Sequence, residues 1–378
     1  MIKVKLLNCR KGRNSNTFEP LLPVYNLLHS DYGIELLLHD EEEKDIIPAN
    51  LRKKAKTSDY DFLIVGPSDF VDKSKPLQES VDWGLENLHK VTVGGDYFLW
   101  DGFDSTSLFG SYEVFEQSDA IYLFKNQLLK NREDYNKPYH CGKWFFGESE
   151  EGVAYNIPKD KWKNIKLSGT NLGYTYMAKL FIWNKTYPEY HPYSNHQYRY
   201  APLLNSNKNI DVTSLCLSEV SKSHEHNVRN DLLYMKHRKD FSNIVSKLNY
   251  NVLTGYLERK EYVDNLYRSK ILISPFGQGE ICYRDIEAIQ FGSLMIKPDM
   301  SMINTYPNIY KDGETYIACK YDGSDLEEKT KKVLENFENY SYIVNNFREK
   351  FKEEYSVNNL CLHWYNIFKN LSSIKETE

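Results

Sequence analysis

Short apolar runs separated by polar, helix-compatible stretches recur through the first 125 residues, the alternation expected of parallel strands joined by crossover helices. The runs Ile2 to Leu7, Ile34 to Leu38, Phe62 to Val65, Val91 to Val93 and Ala120 to Phe124 are the expected strands, and most end near Gly, Asp or Asn. Between about Asn131 and Pro202 the pattern loosens into aromatic and polar sequence, and Pro188, Pro192 and Pro202 place a domain boundary near residues 185 to 205. A second alternating block begins at Asp211. Its expected elements are a strand Val212 to Cys216, a helix Val228 to Leu248, a strand Asn251 to Thr254, a helix Lys260 to Ser269 and a strand Ile271 to Ser274. The stretches Asp325 to Asn339 and Ile343 to Phe368 carry helical spacing, with Ile343, Phe347 and Phe351 on one face.

Length agrees with this division, since 378 residues suit two domains of ordinary size. With 41% hydrophobic and 27% charged residues, wholesale disorder and a fibrous repeat are excluded. No window approaches the roughly 18 consecutive apolar residues of a membrane span. The start, MIKVKLLNCRKG, has too short an apolar stretch for a signal peptide and reads as a first strand. The cysteines Cys9, Cys141, Cys216, Cys282, Cys319 and Cys361 form no CxxC pair or Cys/His cluster, so reduced thiols in a cytoplasmic protein are expected, with no zinc module. A net charge of −5 argues against a broad phosphate-tracking surface, and no nucleic-acid partner is expected. The 30 tyrosines, with many Lys, Asn and Ile, fit the codon bias of an AT-rich genome.

Ser274 to Met300, SPFGQGEICYRDIEAIQFGSLMIKPDM, combines a Gly/Pro loop after a strand with a helix-compatible run. Gly277 and Gly279 allow close approach to the backbone, and the first amides of the helix can bind a phosphate. Glu280, Arg284 and Glu287 fall at i, i+4 and i+7 and are expected on one helical face, while Cys282, Ile286 and Ile289 face the core. Arg284 suits a diphosphate as a charge-assisted donor and Glu287 suits a ribose diol as an acceptor. The same spacing also describes an exposed ion pair beside an ordinary turn. His237 and Arg238, in the preceding helix, offer a further basic contact to phosphates or a solvated helix face.

This stretch resembles the C-terminal signature of exostosin-like and related bacterial or viral glycosyltransferases, in which an SPFG-x-GE loop leads into an R-x-x-E-A helix, then Gly and a hydrophobic strand. The match extends through EYVDNLYRSKILIS before it and TYPNIY to YDGSDL after it, about Glu261 to Leu326. The resemblance implies an α/β fold of the GT-B type, two Rossmann-like domains facing across a cleft. Residues 1–200 would form the acceptor side and residues 201–350 the nucleotide-sugar side, with residues 351–378 as a C-terminal helix returning to the first domain. The residues expected to hold the sugar donor are Arg238, Ser274, Gly277, Gly279, Glu280, Tyr283, Arg284 and Glu287. Arg284 matches the signature arginine, and Glu287 the acidic residue that binds the donor ribose. The better-known pattern has two glutamates eight positions apart, whereas Glu280 and Glu287 are seven apart and position 279 is glycine. No cofactor or metal is expected, the nucleotide sugar being a co-substrate and UDP the expected carrier. The expected reaction is metal-independent hexosyl or pentosyl transfer to a hydroxyl of a surface glycan or lipid-linked saccharide. Peripheral membrane association is compatible with such an acceptor.

Activation of the acceptor hydroxyl calls for a base. In GGDYFLWDGFD, after the expected strand Val91 to Val93, Asp96 is the first candidate and Asp101 the second, with Asp104 nearby. Such acids also cap turns and helices. If either takes the acceptor proton the anomeric configuration inverts; otherwise a retaining front-face displacement is open. Asp59 and Asp61, a DxD triplet before a strand rather than after it, read as a solvated turn. Trp144, Phe145, Phe146, Tyr174, Tyr176 and Trp183 suit either a sugar-stacking surface or a core, and His140 is expected to be structural. Two competing functions are a DNA-modifying glycosyltransferase of viral origin, which needs a basic groove, and a catalytically silent nucleotide- or glycan-binding module. A dinucleotide oxidoreductase is disfavoured because no GxGxxG follows the first strand.

Overall fold

The computed structural model describes residues 1–8, 21, 24–40, 60–66, 76–92, 96–103, 105–169, 208–216, 228–257 and 259–375. The chain divides into two compact units, Met1–Thr186 with Tyr355–Glu378, and Tyr187–Glu354. Asp59, Asp104, Tyr174, Tyr176, Trp183 and the three boundary prolines lie outside the described residues.

In the first unit, β1 (Ile2–Asn8), β2 (Ile34–Asp40), β3 (Phe62–Val65), β4 (Tyr97–Asp101), β5 (Leu123–Lys125) and β7 (Ile165–Leu167) form a sheet in the order β2-β1-β3-β4-β5-β7, and β6 (Gln127–Leu129) lies outside it. Its pairings are parallel, with Leu6 opposite Leu38 and Ile64, and Leu99 opposite Leu123. A strand covered on both faces must be apolar throughout, and every residue of Phe62–Val65 and Tyr97–Asp101 is buried. Where a strand was expected at Val91 to Val93, Val91 and Thr92 belong to helix α2 (Leu77–Thr92), which follows α1 (Tyr25–Tyr32) in sequence, and Val93 lies outside the described residues. Helical spacing of Leu77, Val81, Leu85 and Leu88, which pack in or against the unit's core, overrides the β-branched signal of Val91 and Val93. The next strand starts only at Tyr97.

The second unit is organised alike. Its sheet comprises β8 (Ile210–Cys216), β9 (Val252–Tyr256), β10 (Ser269–Ile273), β11 (Leu294–Pro298) and β13 (Ile317–Cys319), in the order β13-β11-β10-β8-β9 with parallel pairings, and β12 (Ile303–Thr305) lies outside it. Crossover helices α4 (Val228–Val245), α5 (Arg259–Arg268) and α6 (Tyr283–Phe291) join successive strands, and α3 (Ser111–Glu116) lies in the first unit. Each unit is thus a Rossmann-like α/β layer structure.

The helical tail expected as one segment is two helices after α7 (Leu326–Glu335), namely α8 (Phe337–Glu354) and α9 (Val357–Lys375). Ser356 starts the last one: its Oγ accepts from the Asn359 amide at 3.3 Å and its carbonyl accepts from the Leu360 amide at 2.9 Å, which is N-cap geometry. Tyr355–Glu378 belongs to the first unit. There Trp364 packs on Trp100 at 4.6 Å between ring centroids, and His363 Nε2 donates to the Ser168 carbonyl at 2.6 Å.

Candidate functional site

Open parallel sheets bind ligands outside the carboxyl ends of their strands, where strand order reverses. In the second unit that reversal falls between β8 and β10, because the chain runs from β8 outward to β9 and returns to β10 on the other side. The Gly loop leaves the carboxyl end of β10 at this point. Its local bonds fold it against the start of α6: the Ser274 amide donates to the Ile296 carbonyl at 2.8 Å and the Gly277 amide to the Gly279 carbonyl at 3.0 Å. Arg284 Nη2 donates to the Pro275 carbonyl at 2.5 Å.

Gly277 has a steric reason. A Cβ built there would lie 2.5 Å from Nη2 of Arg238, so glycine lets a guanidinium from α4 rest on the loop backbone. The Arg238 guanidinium also stands over the Tyr234 ring, 5.0 Å from its centroid, a cation–π contact. Arg238, distant in sequence, is therefore brought to the same loop that Arg284 holds through Pro275. Glu287 is buried in α6, and Tyr262 of α5 donates to its Oε2 at 2.5 Å. Ser274 is buried with its Oγ committed to Asp285 Oδ1 at 2.6 Å, while Tyr283, the first helical residue, is exposed.

Glu280 departs from the expected common helical face. The helix starts only at Tyr283, so Glu280 is a loop residue, fully buried, and the i, i+4, i+7 geometry begins too late to include it. Ile286 and Ile289 face the core as expected.

The residues missed in the sequence organise the loop from below. Asp285, in the first turn of α6, accepts from the Cys282 amide at 3.1 Å, from Ser274 Oγ, and from Tyr310 Oη at 2.9 Å. Lys297, inside β11, pairs with it at 3.0 Å and donates to the Glu280 carbonyl at 2.5 Å. Both side chains have zero exposure. A lysine within the otherwise apolar run Leu294–Pro298 was the available signal, since an isolated charge in a doubly covered strand requires a partner. At the other end of α6, Arg348 donates to the carbonyls of Ile289 and Gln290, and Lys208 Nζ donates to the Phe291 carbonyl at 3.2 Å. These cations complement the negative end of the helix. Burial and the Arg348 charge lower the Lys208 pKa to about 7.

His237 does not supply the basic contact considered for it. Its ring stacks on Tyr321 at 4.2 Å, Nε2 donates to the Tyr321 carbonyl at 2.9 Å, and burial lowers its pKa to about 4. It is neutral at pH 7. The His363 pKa is likewise lowered to about 4 by burial. Since both folded values lie below that of an unfolded histidine, about 6.5, the unfolded chain binds more protons between these limits, and stability falls on acidification. Each histidine is expected to remove about 2 kcal/mol between pH 7.5 and pH 5. Urea unfolding at the two pH values tests this, and His237→Gln should shrink the loss by about half.

The two candidate bases are also displaced from their expected setting. With β4 beginning at Tyr97, Asp96 is exposed at the amino end of that strand, opposite to where such sheets bind ligands. Asp101 does end β4 at the carboxyl edge, but it is fully buried and paired with Lys125 at 3.1 Å. It also accepts from Ser111 Oγ at 2.5 Å and from the Phe103 amide at 2.9 Å. So engaged, the Asp101 carboxylate ties the β4–α3 connection together. Asp61 is exposed and accepts from the Lys3 amide of β1 at 2.7 Å. Phe145 is buried and Trp144 packs against the core of the first unit, so these two aromatics serve packing.

These features define a Rossmann-like α/β protein with a glycine loop, a helix start and two arginines gathered at one switch point. The chain matches no protein-family model and no curated protein sequence. Among solved structures, it is similar to HepE of Anabaena in complex with UDP-glucose, with 10% identity over 99% of this chain and 100% of that one, TM-score 0.44. It is similar also to an alpha-glucosyltransferase in complex with UDP and a 13-mer DNA containing a HMU base, with 11% identity, coverage of 97% and 99%, and TM-score 0.46. A third is TarM, with 14% identity over 81% of this chain and 54% of that one, TM-score 0.42. These overlaps are broad but loose, and the functional conclusion rests on the residues of this chain.

Proposed function

We propose that the protein is a glycosyltransferase of the GT-B type, moving a hexosyl or pentosyl group from a nucleotide-diphosphate donor to a hydroxyl acceptor. The observation that carries this is the seating of Arg238 against Gly277, in the loop between the carboxyl end of β10 and the start of α6. Cationic donors and helix amides brought to one glycine loop suit a diphosphate. In this reading the loop amides, Arg238 and Arg284 hold the two phosphates, Glu287 accepts from the ribose diol, and Tyr283 borders the donor. The Tyr187–Glu354 unit carries the donor and the Met1–Thr186 unit the acceptor, a surface glycan or lipid-linked saccharide.

Stabilising charge on the leaving diphosphate is the main electrostatic demand of the reaction. Arg238 and Arg284 meet it, so turnover is expected to persist in EDTA. With Asp96 at the amino edge and Asp101 paired to Lys125, the departing phosphate oxygen takes the acceptor proton. The bond from the anomeric carbon to phosphate breaks as the bond to the acceptor oxygen forms on the same face, and configuration is retained.

UDP and UDP-glucose are the first probes. A thermal shift with UDP and release of UDP from a UDP-sugar in the presence of acceptor would support the proposal, because a ligand of the folded state raises its stability. Absence of binding by UDP, GDP, CMP and dTDP would overturn it, and binding with no turnover on any acceptor would favour the silent module. NMR of the product anomer tests retention. Glu287→Ala is expected to weaken UDP binding by about tenfold, the loss of a hydrogen bond to a charged acceptor. Tyr262→Phe should have a smaller effect, and equal titration curves for Glu287→Ala and the parent would remove Glu287 from the donor site.

A further inference from the structure

Within the donor site proposed above, one feature is electrostatically adverse. Asp285 places a carboxylate in the first turn of α6, where it organises the Cys282 amide and Ser274. That charge favours the helix but repels any anion brought to the same amides. We propose that Lys297 is a positioning residue of the donor site, cancelling the Asp285 charge so that the helix start is both capped and open to a diphosphate. The inference rests on the donor reading of the loop.

The geometry supports charge cancellation beyond ordinary packing. Lys297 Nζ lies 3.0 Å from Asp285 Oδ2 and 3.2 Å from Oδ1, so the ammonium spans both carboxylate oxygens. It also donates to the carbonyl of Glu280, tying the far arm of the loop to the same charge. The faces of Phe276, 4.9 Å away, and Tyr310, 5.9 Å away, enclose it. Neither partner has any solvent exposure, so water does little to screen a change in this balance. Because Lys297 comes from β11 and Asp285 from α6, the pair also fixes the helix start over the neighbouring strand.

The test compares UDP with uridine, which shares the base and ribose but lacks the diphosphate. Affinities of the full chain are measured by calorimetry for UDP and by ligand-observed NMR for uridine. In Lys297→Met, UDP is expected to bind about tenfold or more weakly, from an uncompensated carboxylate near the phosphates, while uridine affinity stays within about twofold. Equal weakening of both ligands would assign Lys297 a general structural role, and unchanged UDP affinity would show that the charge does not matter; either overturns the proposal. If Lys297→Met does not fold, the double variant Lys297→Met with Asp285→Asn decides, since it removes both charges. It is expected to bind UDP within a few-fold of the parent, and a folded double variant that fails to bind UDP while retaining uridine would refute charge cancellation. Failure of the donor reading itself looks different: the unmodified protein would bind none of the nucleoside diphosphates, and this inference would fall with it.

Discussion

Replacing Lys125 with methionine is expected to lower the unfolding free energy by about 3–5 kcal/mol, the usual cost of leaving one member of a buried ion pair alone. Asp101 would lose its cation with no solvent access at the carboxyl edge of the first sheet, while keeping its bonds from Ser111 and the Phe103 amide. Urea unfolding of the parent and variant measures the loss. Adding Asp101→Leu to Lys125→Met should recover most of it, because two apolar side chains of similar volume often replace a buried pair at little cost. Asp101→Asn carries the functional side of the prediction. If Asp101 is a clamp, specific activity per folded molecule is retained in Asp101→Asn. A fall of several orders of magnitude in a fully folded sample would restore Asp101 as the base.

Gly277→Ala is expected to weaken UDP binding by about 10- to 100-fold with little change in stability. The added methyl would sit 2.5 Å from Arg238 Nη2, which is the far end of a flexible side chain, so the guanidinium moves away and the backbone stays. Displacing one charge-assisted donor from a phosphate costs about 1.5–3 kcal/mol, the range that sets the expected loss of affinity. Arg238→Ala should give the same loss, and the combined variant no more than either alone, since both act through one guanidinium. Additive losses, or a normal UDP titration for Gly277→Ala, would separate the loop from Arg238 and remove the observation on which the functional proposal stands.

The Gly loop and its helix were legible because their signals are local. Pro275, Gly277 and Gly279 interrupt an apolar strand, and the helical run follows at once, so the order strand, loop, helix is written in consecutive residues. Glu280 was misjudged for an equally local reason: its spacing to Arg284 fits a helix that in fact starts at Tyr283. Asp96 lies before a strand and not after one because Val91 and Val93 look like a strand only when taken alone. The apolar positions Leu77, Val81, Leu85 and Leu88 before them carry the longer helical period, and the helix runs on through Thr92.

By itself the sequence determined two blocks of parallel-strand structure and the glycine loop of the second. Strands buried on both faces must be apolar throughout, and a tight loop must be small, so these demands leave a mark on neighbouring residues. Only the tertiary structure decided which charges meet. Lys297 reaches Asp285 from another strand, Arg238 reaches Gly277 from another helix, and Lys125 neutralises Asp101 across the first sheet. The strand order that puts the glycine loop at a switch point is likewise a matter of pairing between distant segments. Coulombic and steric partnerships act through space, with no period along the chain, and so no local pattern of residue types could announce them.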